Sequence, residues 1–166
     1  FMKKKLHRKY IMLVGLPASG KSSWAAHYMS QNPNLNFQIL STDNIIEEQG
    51  LRDGLSYIES HEKNIGFAIG EMQKRFRQYL TNGANIIHDQ TNLTFKVRKQ
   101  YLADLKDYFK SAIVFMLDDK IRVRRLRNRE IKTGKVIPEF VLENMVEEFQ
   151  FPTKEEGFDE VVRIEL

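Results

Sequence analysis

One short segment constrains the fold more than any other part of the chain: residues 15–22, with the sequence GLPASGKS. It matches the pattern G-x-x-x-x-G-K-[ST] at every fixed position. It follows an apolar run over 10–14 and precedes a run of helix formers. A continuous apolar run of this length is typical of a strand that is buried on both faces of a parallel sheet. The sequence therefore predicts a strand, a phosphate-binding loop and a helix, in that order.

Each residue type in this loop has a physical role in phosphate binding. Glycines let backbone N–H groups curl around phosphate oxygens, and the helix N-terminus adds its partial positive charge. Lys21 is expected to reach the β- and γ-phosphates, and the Ser22 hydroxyl is expected to bind Mg²⁺. An ordinary Gly/Ser-rich turn is the alternative, although it does not explain the strand and helix context. The predicted site for ATP or another nucleoside triphosphate consists of Gly15, Pro17, Ala18, Ser19, Gly20, Lys21, Ser22 and Ser23.

Short apolar strands alternate with helical patterns along the rest of the chain. Further strands are predicted over 37–41, 85–89, 111–117 and 161–164, and helices over 21–31, 59–80, 94–109, 119–132 and 138–150. This alternation is typical of a parallel α/β sheet. The chain has 166 residues, of which 42% are apolar, enough for one core. We therefore predict a single domain over 10–166 after a basic segment over 1–9.

Composition and charge exclude several classes of protein. The chain has no cysteine, so it forms no disulfide and no thiolate metal site. Its longest apolar stretch is far short of the about 20 residues that span a bilayer, so we expect no membrane segment, no signal peptide and a cytoplasmic location. The net charge of the chain is +4, but the basic segment over 1–9 carries +5, so the remaining residues carry −1. The overall charge is therefore weak support for nucleic-acid binding.

A carboxylate follows the second predicted strand. Asp43 comes just after residues 37–41, and the carboxyl ends of parallel strands meet at one crevice, beside the phosphate loop. A kinase needs a carboxylate there to accept the proton of the acceptor hydroxyl as its oxygen attacks the γ-phosphorus. The alternative interpretation is that residues 41–43 only cap a helix, with Asp43 at the N-cap.

Polar residues also follow the strand over 85–89. Asp89, Thr91 and Asn92 are predicted to face the same crevice. Asp89 is expected to bind Mg²⁺ through water or to hold the acceptor, and Thr91 and Asn92 to contact acceptor phosphate or sugar. The alternative is a turn that leads into the N-cap of the next helix.

Arginines are concentrated on the helix predicted over 119–132. Arg122, Arg125 and Arg129 fall on one stripe at three- and four-residue spacing. Arginine stays charged and forks onto phosphate, so the stripe predicts a lid helix in which Arg125 and Arg129 stabilise the transferring phosphoryl group. A solvated basic face is the alternative. Residues 133–135 are a candidate hinge or lid tip.

Taken together, these motifs resemble those of the P-loop kinase family of polynucleotide 5′-hydroxyl kinases. They are also similar to the kinase-like domain of the hnRNP U proteins, including the stretches DQTN over 89–92 and GFDE over 157–160. The resemblance covers nearly all of 10–166. It implies a doubly wound parallel sheet of five strands in the order 2-3-1-4-5, with an arginine-bearing lid. It further implies ATP-dependent phosphorylation of a 5′-hydroxyl end of RNA or DNA.

The resemblance assigns roles residue by residue. Lys21 and Ser22 would hold nucleotide and Mg²⁺, Asp43 would be the general base, and one or more of Arg125, Arg127 and Arg129 would be the lid arginine. The chain departs from the phage polynucleotide kinases at Ile46, because those enzymes place an arginine three residues after the base, where it grips the acceptor phosphate.

The departure at Ile46 leaves the acceptor phosphate to other groups. Arg98 is the nearest candidate in sequence, unless it is a solvated helix residue. Two other functions stay open: a small-molecule kinase with a closed acceptor pocket, and a non-catalytic nucleotide-binding module associated with RNA. Retention of Asp43 argues against the second.

Overall fold

The computed structural model describes residues 8–165, so most of the basic segment predicted over 1–9 lies outside the described residues. Five strands form one sheet in the order β2-β3-β1-β4-β5, and all neighbouring strands are parallel. Their bounds are β1 Arg8–Val14, β2 Gln38–Leu40, β3 Ile86–Asp89, β4 Tyr108–Met116 and β5 Glu160–Glu165. The predicted strand order is confirmed.

In the described part of the chain, six α-helices connect and cover the strands: α1 Lys21–Gln31, α2 Thr42–Asp53, α3 Tyr57–Asn82, α4 Phe95–Leu102, α5 Asp119–Thr133 and α6 Glu139–Glu148. Single turns of 3₁₀ helix lie at Pro33–Leu35 and Lys154–Glu156. Successive side chains of a strand point to opposite faces of the sheet. Accordingly, Tyr10 and Met12 pack in the core with α2, α3 and α4, whereas Ile11 and Leu13 pack in a second core with α1. The fold is the expected doubly wound α/β sheet.

Two boundaries differ from the sequence-based prediction by more than two residues. The helix predicted over 94–109 ends at Leu102, and β4 begins at Tyr108 rather than at residue 111. The apolar residues Leu105 and Phe109 fit a helical spacing, but Leu105 is buried in the turn, and Phe109 lies on the strand. Asp107 has φ 64°, a left-handed conformation that does not continue a right-handed helix. Tyr108 then pairs with Arg8 of β1.

Helix α2 is not among the helices predicted from the sequence, which gave residues 41–43 as the cap of a helix only as an alternative interpretation. Ser41 is its N-cap, and the Ser41 hydroxyl accepts a hydrogen bond from the backbone N–H of Asn44. Asp43 therefore lies in the first turn rather than at the N-cap. Its negative charge in the first turn also suits the helix dipole. This placement orients Asp43 toward the carboxyl edge of the sheet. Within residues 8–165, no helix is both long enough and apolar enough to cross a membrane.

Candidate active site

The carboxyl ends of β1, β2 and β3 open into a crevice with a volume of about 1270 Å³. The phosphate loop, the first turns of α2 and α3, and the lid all contribute to its walls; here the lid means α5 with the residues that follow it up to Pro138. The predicted site residues that line the crevice are Pro17, Ala18, Gly20, Lys21, Ser22, Ser23, Asp43, Asp89, Thr91, Arg125 and Arg129.

The phosphate loop requires glycine at its two fixed glycine positions. A Cβ on Gly15 would lie 2.9 Å from Ser19 Oγ and 3.1 Å from Phe115 Cβ, so the Ser19 side chain would have to shift and Phe115 would have to give way slightly. Gly20 has φ 99° and is the N-cap of α1, a left-handed conformation that glycine adopts without strain. The backbone N–H of Gly15 donates to the carbonyl of Thr91 at 3.0 Å, which ties the loop to the residues after β3.

Lys21 lies inside the loop. Its Nζ donates to the carbonyl oxygens of Gly15 at 2.9 Å and Leu16 at 2.8 Å. Burial lowers the pKa of Lys21 to about 8, an effect that the Asp89 carboxylate partly offsets. A desolvated ammonium group gains free energy when an anion approaches, so the loop is suited to phosphate.

Ser22 and Asp89 form a pair of oxygen ligands at the mouth of the loop. The Ser22 hydroxyl donates to Asp89 Oδ2 at 2.7 Å. Burial raises the pKa of Asp89, while the hydrogen bond from Ser22 and the charge of Lys21 act in the opposite direction. Mg²⁺ prefers such oxygen ligands and is often held by one or two carboxylates plus substrate phosphates. No cluster of three or more His, Cys, Asp or Glu side chains suited to a metal occurs within residues 8–165, so a cation here would also need phosphate or water ligands.

Asp43 lines the same crevice as Lys21 and is held by Tyr57. The Tyr57 hydroxyl donates to Asp43 Oδ1 at 2.8 Å. Burial and the neighbouring Asp43 carboxylate raise the pKa of Tyr57, so the phenol stays protonated and remains a donor at neutral pH. Gln90 fixes the start of α2 against the end of β3, because its side chain exchanges hydrogen bonds with the Thr42 hydroxyl at 2.8 and 3.1 Å.

The lid stripe divides into residues that line the crevice and one that does not. Arg125 and Arg129 line it, and the charge of Arg129 acts on the pKa of both Lys21 and Tyr57. Arg129 is therefore close to both ends of the site. Arg122 is buried and pairs with Asp119 at 3.2 Å, away from the crevice. Arg124 and Arg127 are exposed outside the crevice lining.

The structure does not place Arg98 or Asn92 in the crevice. Arg98 is fully buried; it binds Glu156 through Nε at 2.7 Å and Nη2 at 3.2 Å, and Nη1 donates to the Asn92 carbonyl at 2.9 Å. Asn92 is also buried, and its Nδ2 donates to the carbonyl of Leu13 at 2.9 Å. These side chains join the segment after β3 to β1 and to the turn before β5. These contacts favour a structural role for both side chains over the predicted contact with the acceptor.

Sequence reasoning assigned no role in the site to three further side chains that line the crevice. Tyr57, Glu47 and Lys135 all line it. They come from α3, α2 and the lid, so no local spacing pattern joins them to Asp43. Trp24 stacks on Tyr28 with ring centroids 4.8 Å apart and also lines the crevice.

Comparison with known proteins identifies relatives of three kinds. The chain is 27% identical over 160 residues to heterogeneous nuclear ribonucleoprotein U-like protein 2 of Mus musculus, covering 94% of this chain and 21% of that protein. It is 28% identical to L-seryl-tRNA(Sec) kinase of Methanococcus maripaludis, covering 90% and 55%. It is 27% identical to the bifunctional polynucleotide phosphatase/kinase of Schizosaccharomyces pombe, covering 98% and 35%. The chain thus spans only part of each relative.

Two solved structures and a family model also match this chain. A chain of the Pnkp1/Rnl/Hen1 RNA repair complex superposes with a TM-score of 0.67 and 26% identity, covering 92% of this chain and 47% of that chain. A chain of the PezAT toxin-antitoxin system of Streptococcus pneumoniae shares the fold, with a TM-score of 0.73 and 18% identity, covering 98% and 69%. The AAA_33 family model, described as an AAA domain, matches residues 11–152. With this match and the phosphate loop, sheet order and lid described above, the chain belongs to the AAA_33 family of P-loop kinase domains.

Proposed function

We propose that this chain transfers the γ-phosphate of ATP to the 5′-hydroxyl end of a polynucleotide. The observation that carries the proposal is that Asp43, which accepts a hydrogen bond from the Tyr57 hydroxyl at 2.8 Å, lines the same crevice as Lys21 and Arg129. Phosphoryl transfer requires a group that accepts the proton of the hydroxyl, a cation that binds the phosphates and a cation that stabilises the charge on the transferred group. The names of two relatives, a polynucleotide phosphatase/kinase and a seryl-tRNA kinase, support a nucleic-acid acceptor.

The chemistry divides between the two sides of the crevice. The loop N–H groups and Lys21 would bind the β- and γ-phosphates, with Mg²⁺ at Ser22 and Asp89 neutralising part of their charge. Asp43 would accept the proton of the acceptor hydroxyl. At the same time the hydroxyl oxygen would bond to the γ-phosphorus, and the bond from the γ-phosphorus to the β–γ bridging oxygen would break. Arg129 would stabilise the charge that spreads over the transferred phosphoryl group.

A small hydroxyl compound is a second candidate acceptor, because the acceptor side of the crevice is acidic. Asp43, Glu47 and Glu62 line that side, and Ile46 is buried in the core at 1% exposure. Neutral hydroxyl compounds experience less repulsion from such a wall than polynucleotides do. The two candidates differ in their acceptor and share the donor chemistry.

Transfer from γ-labelled ATP to a panel of acceptors separates the candidates. The panel contains 5′-hydroxyl RNA, 5′-hydroxyl DNA, nucleosides and sugars. We expect kcat/KM to be highest for an oligonucleotide and to fall with added salt, because phosphate contacts release counterions. Equal use of nucleosides and oligonucleotides, or preference for sugars, would reject the polynucleotide acceptor. ATP binding without transfer to any acceptor would favour a non-catalytic module.

The role of Asp43 is tested by Asp43→Asn. The amide keeps the shape and still accepts the Tyr57 hydrogen bond, but it cannot take a proton. We expect transfer to fall by roughly 10²-fold or more while the affinity for ATP, followed by calorimetry, is retained. Asp53→Asn is the matched control, since Asp53 lies exposed at the other end of α2 and pairs with Lys63 at 3.2 Å. Full activity of Asp43→Asn would reduce Asp43 to a residue of the helix terminus.

A further inference from the structure

The acceptor wall, formed by the first turns of α2 and α3, carries negative charge. Its charged residues are Asp43, Glu47 and Glu62, and in the described chain no lysine or arginine of α2 or α3 lines the crevice. A polynucleotide with a free 5′-hydroxyl carries a phosphate on the 3′-oxygen of the same terminal nucleotide. This phosphate would approach a wall of like charge, which is unfavourable without a cation. A polynucleotide kinase with this wall needs a cation from another element.

Helix α2 cannot supply that cation from the position three residues after the base. Asp43 and Glu47 are four residues apart and share the crevice face of the helix. Ile46 lies on the opposite side, where it packs in the core with Ala68 and Met72 of α3. The next charged residue after Asp43 along the crevice face of α2 is thus the carboxylate Glu47.

The lid does supply a cation to this wall. Gly134, with φ 70°, ends α5, and the next residue, Lys135, places its Nζ 4.4 Å from the centre of the Tyr57 ring. The same ammonium group forms an ion pair with Glu47. The Tyr57 hydroxyl in turn donates to Asp43 at 2.8 Å. One phenol ring therefore separates the Lys135 ammonium from the carboxylate assigned as the base.

We propose that Lys135 selects acceptors that carry a phosphate beside the reacting hydroxyl, by exchanging Glu47 for the acceptor's 3′-phosphate. This inference rests on the proposed function. The exchange is favourable because the two partners differ in exposure: the Glu47 side chain is 47% exposed and returns to water when released, whereas the Lys135 side chain is 13% exposed and needs an anion beside it. Lysine binds phosphate as a point charge. Its contact with Tyr57 keeps that charge beside Asp43 during the exchange.

The test compares a nucleoside with its own 3′-monophosphate as acceptors. We expect Lys135→Gln to lower the ratio of kcat/KM for the 3′-monophosphate to kcat/KM for the nucleoside by about tenfold, as for the loss of a charged hydrogen bond. Glu47→Gln should raise the same ratio, because it removes both the competitor and a like charge. Lys132→Gln is the matched control, since Lys132 is exposed on α5 outside the crevice lining, and it should leave the ratio unchanged.

Several outcomes would overturn the inference. An unchanged ratio in Lys135→Gln, with both acceptors affected equally, would make Lys135 a lid contact only and leave the proposed function intact. If the wild type transfers phosphate to neither acceptor, binding of the 3′-monophosphate by calorimetry decides. Binding that is lost in Lys135→Gln would support the phosphate site while the proposed activity fails. Absent or Lys135-independent binding would overturn both.

Discussion

The buried ion pair between Arg98 and Glu156 allows a quantitative test of whether Arg98 has a structural role rather than a contact with the acceptor. Arg98 is fully buried and the Glu156 side chain is 12% exposed, so the pair is largely removed from water. Glu156→Gln keeps the size of the side chain but leaves the guanidinium without its counterion. Removal of one partner of a buried pair typically costs about 3–5 kcal/mol. The Asn92 carbonyl still accepts from Arg98 at 2.9 Å, so we expect the free energy of unfolding to fall by about 3 kcal/mol.

This loss can be measured by urea denaturation and by thermal unfolding. For a chain of this length, 1 kcal/mol corresponds to about 2–4 °C, so the melting temperature should fall by roughly 6–12 °C. Arg98→Met provides the matched variant, because the backbone N–H of Thr153 still donates to Glu156 at 2.7 Å. The double variant should be more stable than the sum of the single losses predicts, since neither charge is then left unpaired.

Kinetics below the melting temperature distinguish a structural role from an acceptor contact. If Arg98 acts through the fold, folded Arg98→Met should keep the wild-type KM for a 5′-hydroxyl oligonucleotide. A loss of less than about 1 kcal/mol in Glu156→Gln would contradict the buried pair. A stable Arg98→Met protein with a tenfold higher acceptor KM would return Arg98 to the acceptor site.

Three further predictions concern the donor side of the crevice. Burial sets the pKa of Lys21 to about 8, and phosphate needs the charged form, so the dissociation constant for ATP should rise above pH 8 by up to about tenfold per pH unit; a flat calorimetric profile to pH 9.5 would refute this. Arg129→Gln should lower the transfer rate by about 10²–10³-fold with a smaller loss of ATP affinity, whereas exposed Arg124→Gln should change neither, and equal losses would indicate a ground-state contact. Asp89→Asn should raise the Mg²⁺ concentration for half-maximal transfer by about tenfold or more, and an unchanged Mg²⁺ titration would remove Asp89 from the metal site.

The donor side was predictable because its information is local in the sequence. The phosphate loop lies within eight consecutive residues, and the strand before it and helix α1 after it follow from apolar runs and helix formers. The rule that parallel strands end at one edge of the sheet placed Asp43 and Asp89 beside Lys21. The structure brings these three side chains into one crevice.

The role of Arg98 was not predictable for a physical reason. Buried charges are rare, so an arginine after a polar loop is ordinarily assigned to solvent or to a ligand phosphate. Its counterion, Glu156, lies 58 residues further along the chain, and only the packing of α4 against the turn before β5 brings them together. The end of α4 was missed similarly, because Leu105 and Phe109 continue a helical spacing that the left-handed Asp107 interrupts.

Acceptor choice differs from donor chemistry in how the site is assembled. Tyr57, Glu47 and Lys135 come from α3, α2 and the lid, and each contacts another of the three across the crevice. These contacts join residues that are distant in the sequence, whereas the phosphate loop is a local motif. Membership of the family therefore indicates the chemistry of the loop but not the acceptor. Relatives named for a polynucleotide and for a seryl-tRNA match this chain equally well, at 27% and 28% identity. Glu47 is 47% exposed and lies outside the core cluster that contains Ile46, so we expect substitutions at this position to change acceptor preference, as proposed above, while that core stays unchanged.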